Sequence, residues 1–444
     1  MKKLNTLQES TFLKAFFAFV TGCFLIGAVC MPDRAEMLAG LWRIVSNPSK
    51  ISTNYFAVGG YAATFLNMGL VCLICTLLYC LPGAKANNVS TLAFLLTAGF
   101  CSWGIHVLNV WPTFLGVALY ALVKKEKLAS QVNAMLFSTG IAPLITELMV
   151  RYLHPDTVGF TLPGVVLSLA VGIVIGFTLP AGLVHAPKVH KGFDLYNAAV
   201  PVGMMAFALQ GILYKATGAA LPAAPDAETL KVASRLTVNV FCCTVFGLCV
   251  LISLLMGGSF RRYWKMLRAG DQVANVGTEY GMDTFLMNVG IYGLFILAYY
   301  NLVGASFNGV TFGIIFCMLA CCNSGSNPAT VWPIMAGYVL SSLLFGWLSG
   351  LVGGTFTQAI NAQAILVGLC YANGLSPISA KYGWPFGLAA GMLHYCMVTT
   401  VPNLHGGYCL YNGGFTAAFV CLLLVPMFEK FFHTKAERRQ LAAK

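Results

Sequence analysis

The chain has 444 residues, of which 58% are hydrophobic and only 9% are charged, and its formal net charge is +12. A soluble protein of this length needs far more charged surface, so the composition excludes a soluble fold. A charge of +12 would suit nucleic acid in a soluble protein. Here the basic residues lie in short loops beside long apolar runs, so we expect a lipid bilayer and no nucleic acid as the surroundings of this chain.

Ten apolar runs have the length that crosses a bilayer core of about 30 Å and predict transmembrane helices. The first leads into Met31-Pro32-Asp33-Arg34 without a small-residue cleavage site, so we interpret it as a membrane helix and not as a signal peptide. The runs lie at 12–31, 57–81, 131–150, 161–184, 193–214, 236–257, 281–302, 357–377, 384–401 and 409–428.

Two further apolar stretches, 89–123 and 309–345, are too long for one helix and too short for two spans and a turn. A polar segment interrupts each of them, at 104–109 and at 323–328. Irregular backbone at membrane depth is tolerated only where it is buried in protein or lines an aqueous cavity. We therefore predict two re-entrant hairpins, the first entering from the cytoplasm and the second from outside.

Basic residues indicate which side of the membrane each loop occupies. Of the 26 Lys and Arg residues, 19 fall on one predicted side and 7 on the other. By the positive-inside rule the richer side is cytoplasmic. The sequence thus predicts a multi-pass protein of the inner (plasma) membrane with both termini in the cytoplasm.

Short motifs recur in the two halves of the chain. The segment 109–112 (Asn-Val-Trp-Pro) matches 330–333 (Thr-Val-Trp-Pro), and 190–197 matches 405–412, with Leu-Tyr-Asn at the end of both. The corresponding spans leave the basic loops in opposite directions, which predicts inverted-topology repeats. We predict a first repeat at 1–215, an extracytoplasmic connector at 216–235, a second repeat at 236–428 and a basic cytoplasmic tail at 429–444.

The two hairpin tips are the first candidate site. Each tip ends one half-helix and begins another, so free N–H groups and a positive dipole end are available to a polar or anionic solute. The inverted symmetry is expected to bring both tips toward the membrane midplane. An alternative is that Ser and Asn merely cap the half-helices. The candidate solute ligands are His106, Asn109, Asn323, Ser326, Asn327 and Thr330.

A second candidate site is suggested by proline in the spans that follow the hairpins. Pro143 and Pro377 free backbone carbonyls one turn earlier, and such carbonyls can hold a cation. The alternative is a simple kink satisfied by a neighbouring helix. The candidates for Na⁺ or H⁺ coupling are Ser138, Thr139, Asn373 and Ser376.

The paired Leu-Tyr-Asn motifs leave their role open. Tyrosine at the start of a span is typical of an anchor at headgroup depth, which we expect to be the main role here. Asp194 occurs only in the first copy, where the second has Cys409, so it is a weak candidate for a symmetric role. The motif residues of interest are Asp194, Tyr196, Asn197, Tyr411 and Asn412.

No enzyme or metal signature is visible in the sequence. The sixteen cysteines fall mostly within apolar runs without zinc-ligand spacing, and no nucleotide-binding or hydrolase motif occurs. We expect no catalytic activity and no cofactor other than a coupling ion. Three ionisable residues in the spans are expensive to bury and are further candidates: Glu147, Asp283 and His394.

The repeated Leu-Tyr-Asn motif, the segment 109–112 and the segment 118–126 resemble an uncharacterised bacterial membrane family, domain of unknown function 1576. That resemblance covers nearly the whole chain and implies no activity. In plan alone, the chain is similar to divalent-anion:sodium symporters, which have inverted repeats, one hairpin per half and Ser-Asn-Thr motifs at both tips. Ser326-Asn327-Pro328 departs from that motif, which leaves the substrate and the coupling ion open.

These patterns favour a secondary transporter of a small polar or anionic solute that uses alternating access, with Na⁺ or H⁺ as a coupling ion. Urea transporters also have inverted five-helix repeats, so a channel-like facilitator of a neutral solute is the first alternative. An intramembrane enzyme or scaffold is the second. Carriers of this plan commonly pair through a static scaffold, so we also expect a homodimer.

Overall fold

The computed structural model describes residues 8–222, 235–269 and 271–443, and every regular element in those ranges is helical. Lys2, Lys3, Lys231 and most of the predicted connector 216–235 lie outside the described residues. The α-helices are α1 Glu9–Cys30, α2 Met37–Ser46, α3 Tyr55–Val58, α4 Tyr61–Tyr79, α5 Asn88–Phe100, α6 Trp111–Lys124, α7 Val132–Ser138, α8 Ala142–Val150, α9 Leu162–Leu183, α10 Ala186–His190, α11 Ala199–Gln210, α12 Arg235–Leu255, α13 Phe260–Leu267, α14 Val276–Tyr280, α15 Met282–Leu302, α16 Gly309–Leu319, α17 Pro328–Leu351, α18 Gln363–Ala372, α19 Ser376–Tyr382, α20 Trp384–Val398, α21 Asn412–Phe431 and α22 Lys435–Ala442.

Within the described ranges, nine helical segments are long and apolar enough to cross a membrane, which makes this a multi-pass helical membrane protein. Eight of them coincide with predicted spans. The ninth, Pro328–Leu351, is a single helix of 24 residues and extends past the predicted hairpin end at 345. The predicted span 357–377 is divided between α18 and α19, and the predicted span 384–401 corresponds to α20 with 15 residues.

Both stretches predicted as hairpins consist of a short helix, an irregular segment and a second helix. The first arms, α5 with 13 residues and α16 with 11, are about 20 and 17 Å long at 1.5 Å per residue, shorter than a bilayer core. Asn87 and Asn308 begin these arms with the same device. Each side chain accepts a hydrogen bond from the backbone three residues later, and a Ser or Thr there completes a capping box.

The two short arms pack directly against each other and run antiparallel. A Cβ atom on Gly99 would lie 2.4 Å from the carbonyl oxygen of Gly313, so only glycine permits this approach. At one end Ser102 Oγ donates to the carbonyl of Gly309 (2.7 Å), and at the other end Asn323 Nδ2 donates to Thr91 Oγ1 (3.5 Å). Each tip therefore lies beside the start of the other arm. The two tips therefore lie at opposite ends of the packed arms, and their position near the membrane midplane stays a prediction.

The second arms pack on later helices through glycine in the same way. A Cβ on Gly176 of α9 would lie 1.9 Å from the carbonyl oxygen of Thr113 in α6. A Cβ on Gly391 of α20 would lie 2.3 Å from the carbonyl oxygen of Ile334 in α17. Small residues at such contacts are typical of closely packed membrane helices. The pairs α6–α9 and α17–α20 thus use equivalent positions in the two halves.

Candidate functional site

The irregular segment after α5 is held by one amide from α4. Asn67 Nδ2 donates to the carbonyls of Cys101 (2.7 Å) and Ile105 (2.8 Å), and its Oδ1 accepts from Val107 N (3.2 Å). Asn67 is completely buried. Since unpaired carbonyls in a membrane interior are costly, this side chain makes the irregular backbone possible.

The irregular segment after α16 is held by the corresponding residue of α15, 221 positions later in the chain. Asn288 Nδ2 donates to the carbonyls of Cys322 (3.0 Å) and Ser326 (2.9 Å). Its Oδ1 accepts from the hydroxyl of Tyr263 (3.2 Å). Each tip thus depends on its own buried asparagine, and the two asparagines occupy equivalent positions.

At the first tip, the predicted solute ligands are fully occupied by the protein itself. Asn109 Oδ1 accepts from His106 N (2.9 Å), and its Nδ2 donates to Gly104 O (3.0 Å) and Thr146 Oγ1 (3.0 Å). His106 Nε2 lies 2.9 Å from the same Thr146 hydroxyl. Gly104, His106 and Asn109 of the irregular segment and Thr146 of α8 thus form one hydrogen-bonded network, so a solute could be bound here only if these bonds were exchanged.

At the second tip, the capping interpretation describes the contacts. Asn327 Oδ1 accepts from Ala329 N (2.9 Å) and Thr330 N (3.2 Å), and Thr330 Oγ1 accepts from Asn327 N (3.2 Å). Asn323 Oδ1 accepts from Gly277 N (3.0 Å) and so ties the tip to α14. Asn323, Asn327 and Thr330 therefore organise the backbone at this tip.

The Leu-Tyr-Asn motif of the second half docks on the helix break of the first half. The backbone N–H of Leu410 donates to the carbonyl of Gly140 (2.9 Å), between α7 and α8. The ring of Tyr411 covers Gly140 so closely that a Cβ atom there would lie 2.3 Å from the ring. Asn412 is also buried, with its Oδ1 2.8 Å from His405 Nε2.

The motif of the first half docks on the break of the second half by the same two contacts. The N–H of Leu195 donates to the carbonyl of Gly374 (3.0 Å), and a Cβ on Gly374 would lie 2.5 Å from the ring of Tyr196. Tyr196 and Tyr411 are 1% and 0% exposed, so the expected anchoring at headgroup depth is wrong for both rings. Asn197 is half-buried. Each half therefore completes the broken helix of the other.

Three predicted site residues come together at the second break. Ser326 Oγ lies 2.9 Å from Ser376 Oγ and 3.3 Å from Asn373 Oδ1, although these residues come from α19 and from two different irregular segments. Asp194 lies at the same break, because a Cβ on Gly374, which lies between Asn373 and Ser376 in the chain, would be 2.7 Å from its Oδ1. We call Asp194, Ser326, Asn373 and Ser376 the second-break cluster.

The first break lacks an equivalent polar cluster. The hydroxyls of Ser138 and Thr139 donate to backbone carbonyls three residues earlier (both 2.6 Å). The segment 139–143 (Thr-Gly-Ile-Ala-Pro) corresponds to 373–377 (Asn-Gly-Leu-Ser-Pro), so Ala142 takes the place of Ser376. Cys409 takes the place of Asp194, and Ile105 takes the place of Ser326. The two halves therefore share their backbone contacts and differ in the chemistry of these side chains.

A group of tyrosines lies in the interior where the halves meet. The hydroxyls of Tyr292, Tyr300, Tyr371 and Tyr411 are buried and have no hydrogen-bond partner among the described residues. The rings of Tyr371 and Tyr411 both lie beside Phe100, with ring centroids 6.2 and 5.3 Å from it, and Tyr292 and Tyr300 both belong to α15. We call these four residues the central tyrosine cluster. Sequence reasoning missed it, and the only signal was tyrosine within otherwise apolar spans.

The family model described as "Protein of unknown function (DUF1576)" matches residues 33–215 and 258–430, which is most of the chain. The chain belongs to this family. The two matched segments of the DUF1576 protein fall one in each predicted half, and the resemblance expected from its motifs is confirmed. No curated protein and no solved structure matches the chain. The similarity in plan to divalent-anion:sodium symporters stays a prediction.

The other ionisable candidates of this DUF1576 protein are paired within it. Glu147 forms an ion pair with Arg151, and Asp283 forms one with Arg262 (2.5 Å). His394 is held between the hydroxyl of Tyr338 and the carbonyl of Gly413 by contacts of 2.6 and 2.8 Å. In the part of the chain that the structure describes, no three His, Cys, Asp or Glu side chains form a group suited to a metal ion.

Proposed function

We propose that this protein is a secondary transporter of a small polar solute, built from two inverted repeats with one re-entrant hairpin each, and that it works by alternating access. The equivalent contacts of Asn67 and Asn288, and the reciprocal docking on Gly140 and Gly374, support the repeat. Inverted repeats with broken helices are a recurrent transporter plan. The proposed setting is the plasma membrane, with both termini in the cytoplasm and a homodimer as the assembly.

The proximity of two loops supports the inverted orientation. Asn88 Nδ2, at the start of α5, donates to the carbonyl of Ala274 (3.0 Å), just before α14. The end of α4 and the start of α15 therefore lie near the same side of the molecule. Since α4 runs toward this side and α15 runs away from it, the two corresponding helices have opposite directions.

The central tyrosine cluster is the observation that carries the proposed transport function. A buried polar group without a partner costs about 1–3 kcal/mol, so the buried hydroxyls of Tyr371 and Tyr411, whose rings both lie beside Phe100, favour a polar molecule that binds them. The cluster joins α15 and α18 of the second half to Tyr411 on the first break. A change in how the halves dock would therefore alter this site, as alternating access requires.

The chemistry of the cluster favours a neutral, hydrogen-bonding solute over an anion. The ring neighbours of Tyr371 are Phe100 and Tyr196, and those of Tyr411 are Phe100 and Phe137, so the aromatic surroundings of both residues are uncharged. An anion bound here would lack a compensating charge, which is unfavourable in a medium of low polarity. Small neutral metabolites with several hydroxyl, amide or amine groups are the first class to screen.

Tyr371→Phe and Tyr411→Phe are expected to weaken solute binding about 5- to 15-fold each, because each removes one hydrogen bond of about 1–1.5 kcal/mol. Neither hydroxyl has a partner among the described residues, so the melting temperature without solute should stay near that of the parent. The solute is first identified by thermal shift, since a ligand at 100 times its Kd stabilises a protein by about 2.7 kcal/mol. Affinity is then measured by calorimetry in detergent.

Tyr79→Phe is the matched control. Its buried hydroxyl donates to Asn133 Oδ1 (2.6 Å), so this variant should lose stability and keep its affinity for the solute. If both Tyr371→Phe and Tyr411→Phe bind the identified solute as the parent does, the solute site lies elsewhere. Uptake into proteoliposomes that saturates with solute concentration supports a carrier, whereas uptake without saturation favours the channel-like alternative.

A further inference from the structure

Asp194 differs from the other fully buried carboxylates of the described chain in having no cationic partner. Glu147 and Asp283 are equally buried, and each forms an ion pair with an arginine. Asp194 is 1% exposed, its Oδ1 accepts from Tyr196 N (2.9 Å), and its Oδ2 has no hydrogen-bond partner among the described residues. A buried carboxylate is strongly unfavourable unless something neutralises it.

The surroundings of Asp194 supply neutral oxygen atoms. The hydroxyl of Ser326 lies 2.9 Å from the hydroxyl of Ser376 and 3.3 Å from the amide oxygen of Asn373, and a Cβ on Gly374, between Asn373 and Ser376 in the chain, would lie 2.7 Å from Asp194 Oδ1. Leu195, next to Asp194 in the chain, donates its N–H to the carbonyl of Gly374 (3.0 Å), which holds Asp194 beside this break. Hard cations prefer oxygen ligands, and one carboxylate among neutral oxygens balances a single positive charge.

We propose that the second-break cluster binds one Na⁺ ion, with Asp194 Oδ2 as the charged ligand. This inference deepens the proposed transport function by naming a coupling ion, although ion binding can be measured without transport. At the first break the corresponding residues are Cys409, Ile105 and Ala142, which offer no carboxylate or hydroxyl, so the proposed site has no counterpart there. The site joins a motif of the first half to a break of the second half, and ion occupancy therefore stabilises one docked arrangement of the halves.

The titratable groups around Asp194 define the competing explanation. His190 Nδ1 accepts from Asp194 N (3.4 Å), and the thiols of Cys321 and Cys421 lie near enough to interact with the charge of Asp194, whereas the hydroxyl of Tyr196 donates to the carbonyls of Cys317 and Cys370. A proton on Asp194 would remove the charge but would still need an acceptor for the new O–H group. A Na⁺ ion satisfies both the charge and the free oxygen atom, which is why we favour it over a proton.

The test measures the melting temperature of the full-length protein in detergent against NaCl concentration, with N-methyl-D-glucamine chloride holding the ionic strength constant. The parent should show a saturable stabilisation by Na⁺. Asp194→Asn should lose it and should keep or raise its melting temperature without Na⁺, because an unpaired buried charge is removed. Ser376→Ala should weaken the affinity for Na⁺ at least about fivefold. Direct binding of ²²Na⁺ should rank the parent, Ser376→Ala and Asp194→Asn in the same order.

Ser138→Ala is the matched control, since it removes a hydroxyl from the other break, where Ser138 donates to Met135 O (2.6 Å). It should keep the Na⁺ affinity of the parent. The proposal is overturned if Asp194→Asn retains the Na⁺ response, or if the parent responds to pH through Asp194 and not to Na⁺. Should Asp194→Asn not fold, an unchanged Na⁺ affinity in Ser376→Ala overturns it as well. Solute uptake that persists without any Na⁺ binding would reject the ion site and leave the proposed transport function standing.

Discussion

Valine at Gly140 or Gly374 is expected to lower stability by about 3 kcal/mol or more, among the largest effects of any single substitution in this chain. A Cβ would lie 2.3 Å from the Tyr411 ring at the first position and 2.5 Å from the Tyr196 ring at the second. Overpacking costs about 1–3 kcal/mol in ordinary cores. The docking motif can move away only by breaking the hydrogen bond that joins Leu410 or Leu195 to the same glycine.

Gly247→Val is the control for these two variants. Gly247 lies in α12, and a Cβ there meets no atom within 4 Å, so this variant carries the helix-propensity cost of valine without the clash. The measurement is thermal unfolding in detergent followed by intrinsic fluorescence or by thiol labelling of buried cysteines. Equal melting temperatures for all three variants would show that the reciprocal docking does not hold the halves together.

Asn67→Leu and Asn288→Leu are expected to destabilise the protein by about 2–4 kcal/mol and by similar amounts. Each change leaves two buried carbonyls of a hairpin tip without a donor, and each unpaired group costs about 1–3 kcal/mol. Asn239→Leu is the control, because it removes amide hydrogen bonds to the carbonyl of Arg235 (2.8 Å) and to Asn301 (2.7 Å) at a half-buried position and leaves no carbonyl of a tip without a donor. Loss of stability in only one of the two buried variants would contradict the equivalence of the tips.

The helical spans could be predicted from the sequence because a bilayer leaves few alternatives. Apolar runs of about 20 residues must be helical to pair their own backbone groups. Eight of the predicted apolar runs are therefore long helices in the structure, close to the predicted bounds. The interruptions were equally visible, since Gly and Pro at 104–112 and 323–328 cannot continue a regular helix.

The depth and the contacts of the tips could not be predicted from the same pattern. Arm length alone does not say where two arms cross, and the crossing depends on Gly99 and Gly313, two glycines among the 46 of this chain. Asn109 and Asn327 look identical in sequence whether they bind a solute or their own backbone. In the structure their polar atoms are engaged by the protein.

For Tyr411 and Asp194, tertiary contacts give a different result from the one expected from the sequence. Tyrosine near the start of a span is expected at the depth of the lipid headgroups. Tyr411 is instead buried in the protein, where its ring packs directly on Gly140. The counterpart of Asp194 in the second motif is Cys409, which argues against a symmetric role. In the structure this difference leaves Asp194 as a buried carboxylate whose Oδ2 has no hydrogen-bond partner among the described residues.

The inverted orientation of the two halves is tested most directly by labelling single cysteines with a membrane-impermeant thiol reagent, on a background from which the exposed native cysteines have been removed. Lys85→Cys follows α4, Lys265→Cys precedes α15, and Ala220→Cys follows the last helix of the first half; all three positions are exposed. We predict that positions 85 and 265 react only after the membrane is permeabilised, whereas position 220 reacts from outside in intact cells. Labelling of position 85 or 265 from outside, or of the two from opposite sides, would contradict the inverted repeat and with it the proposed transport mechanism.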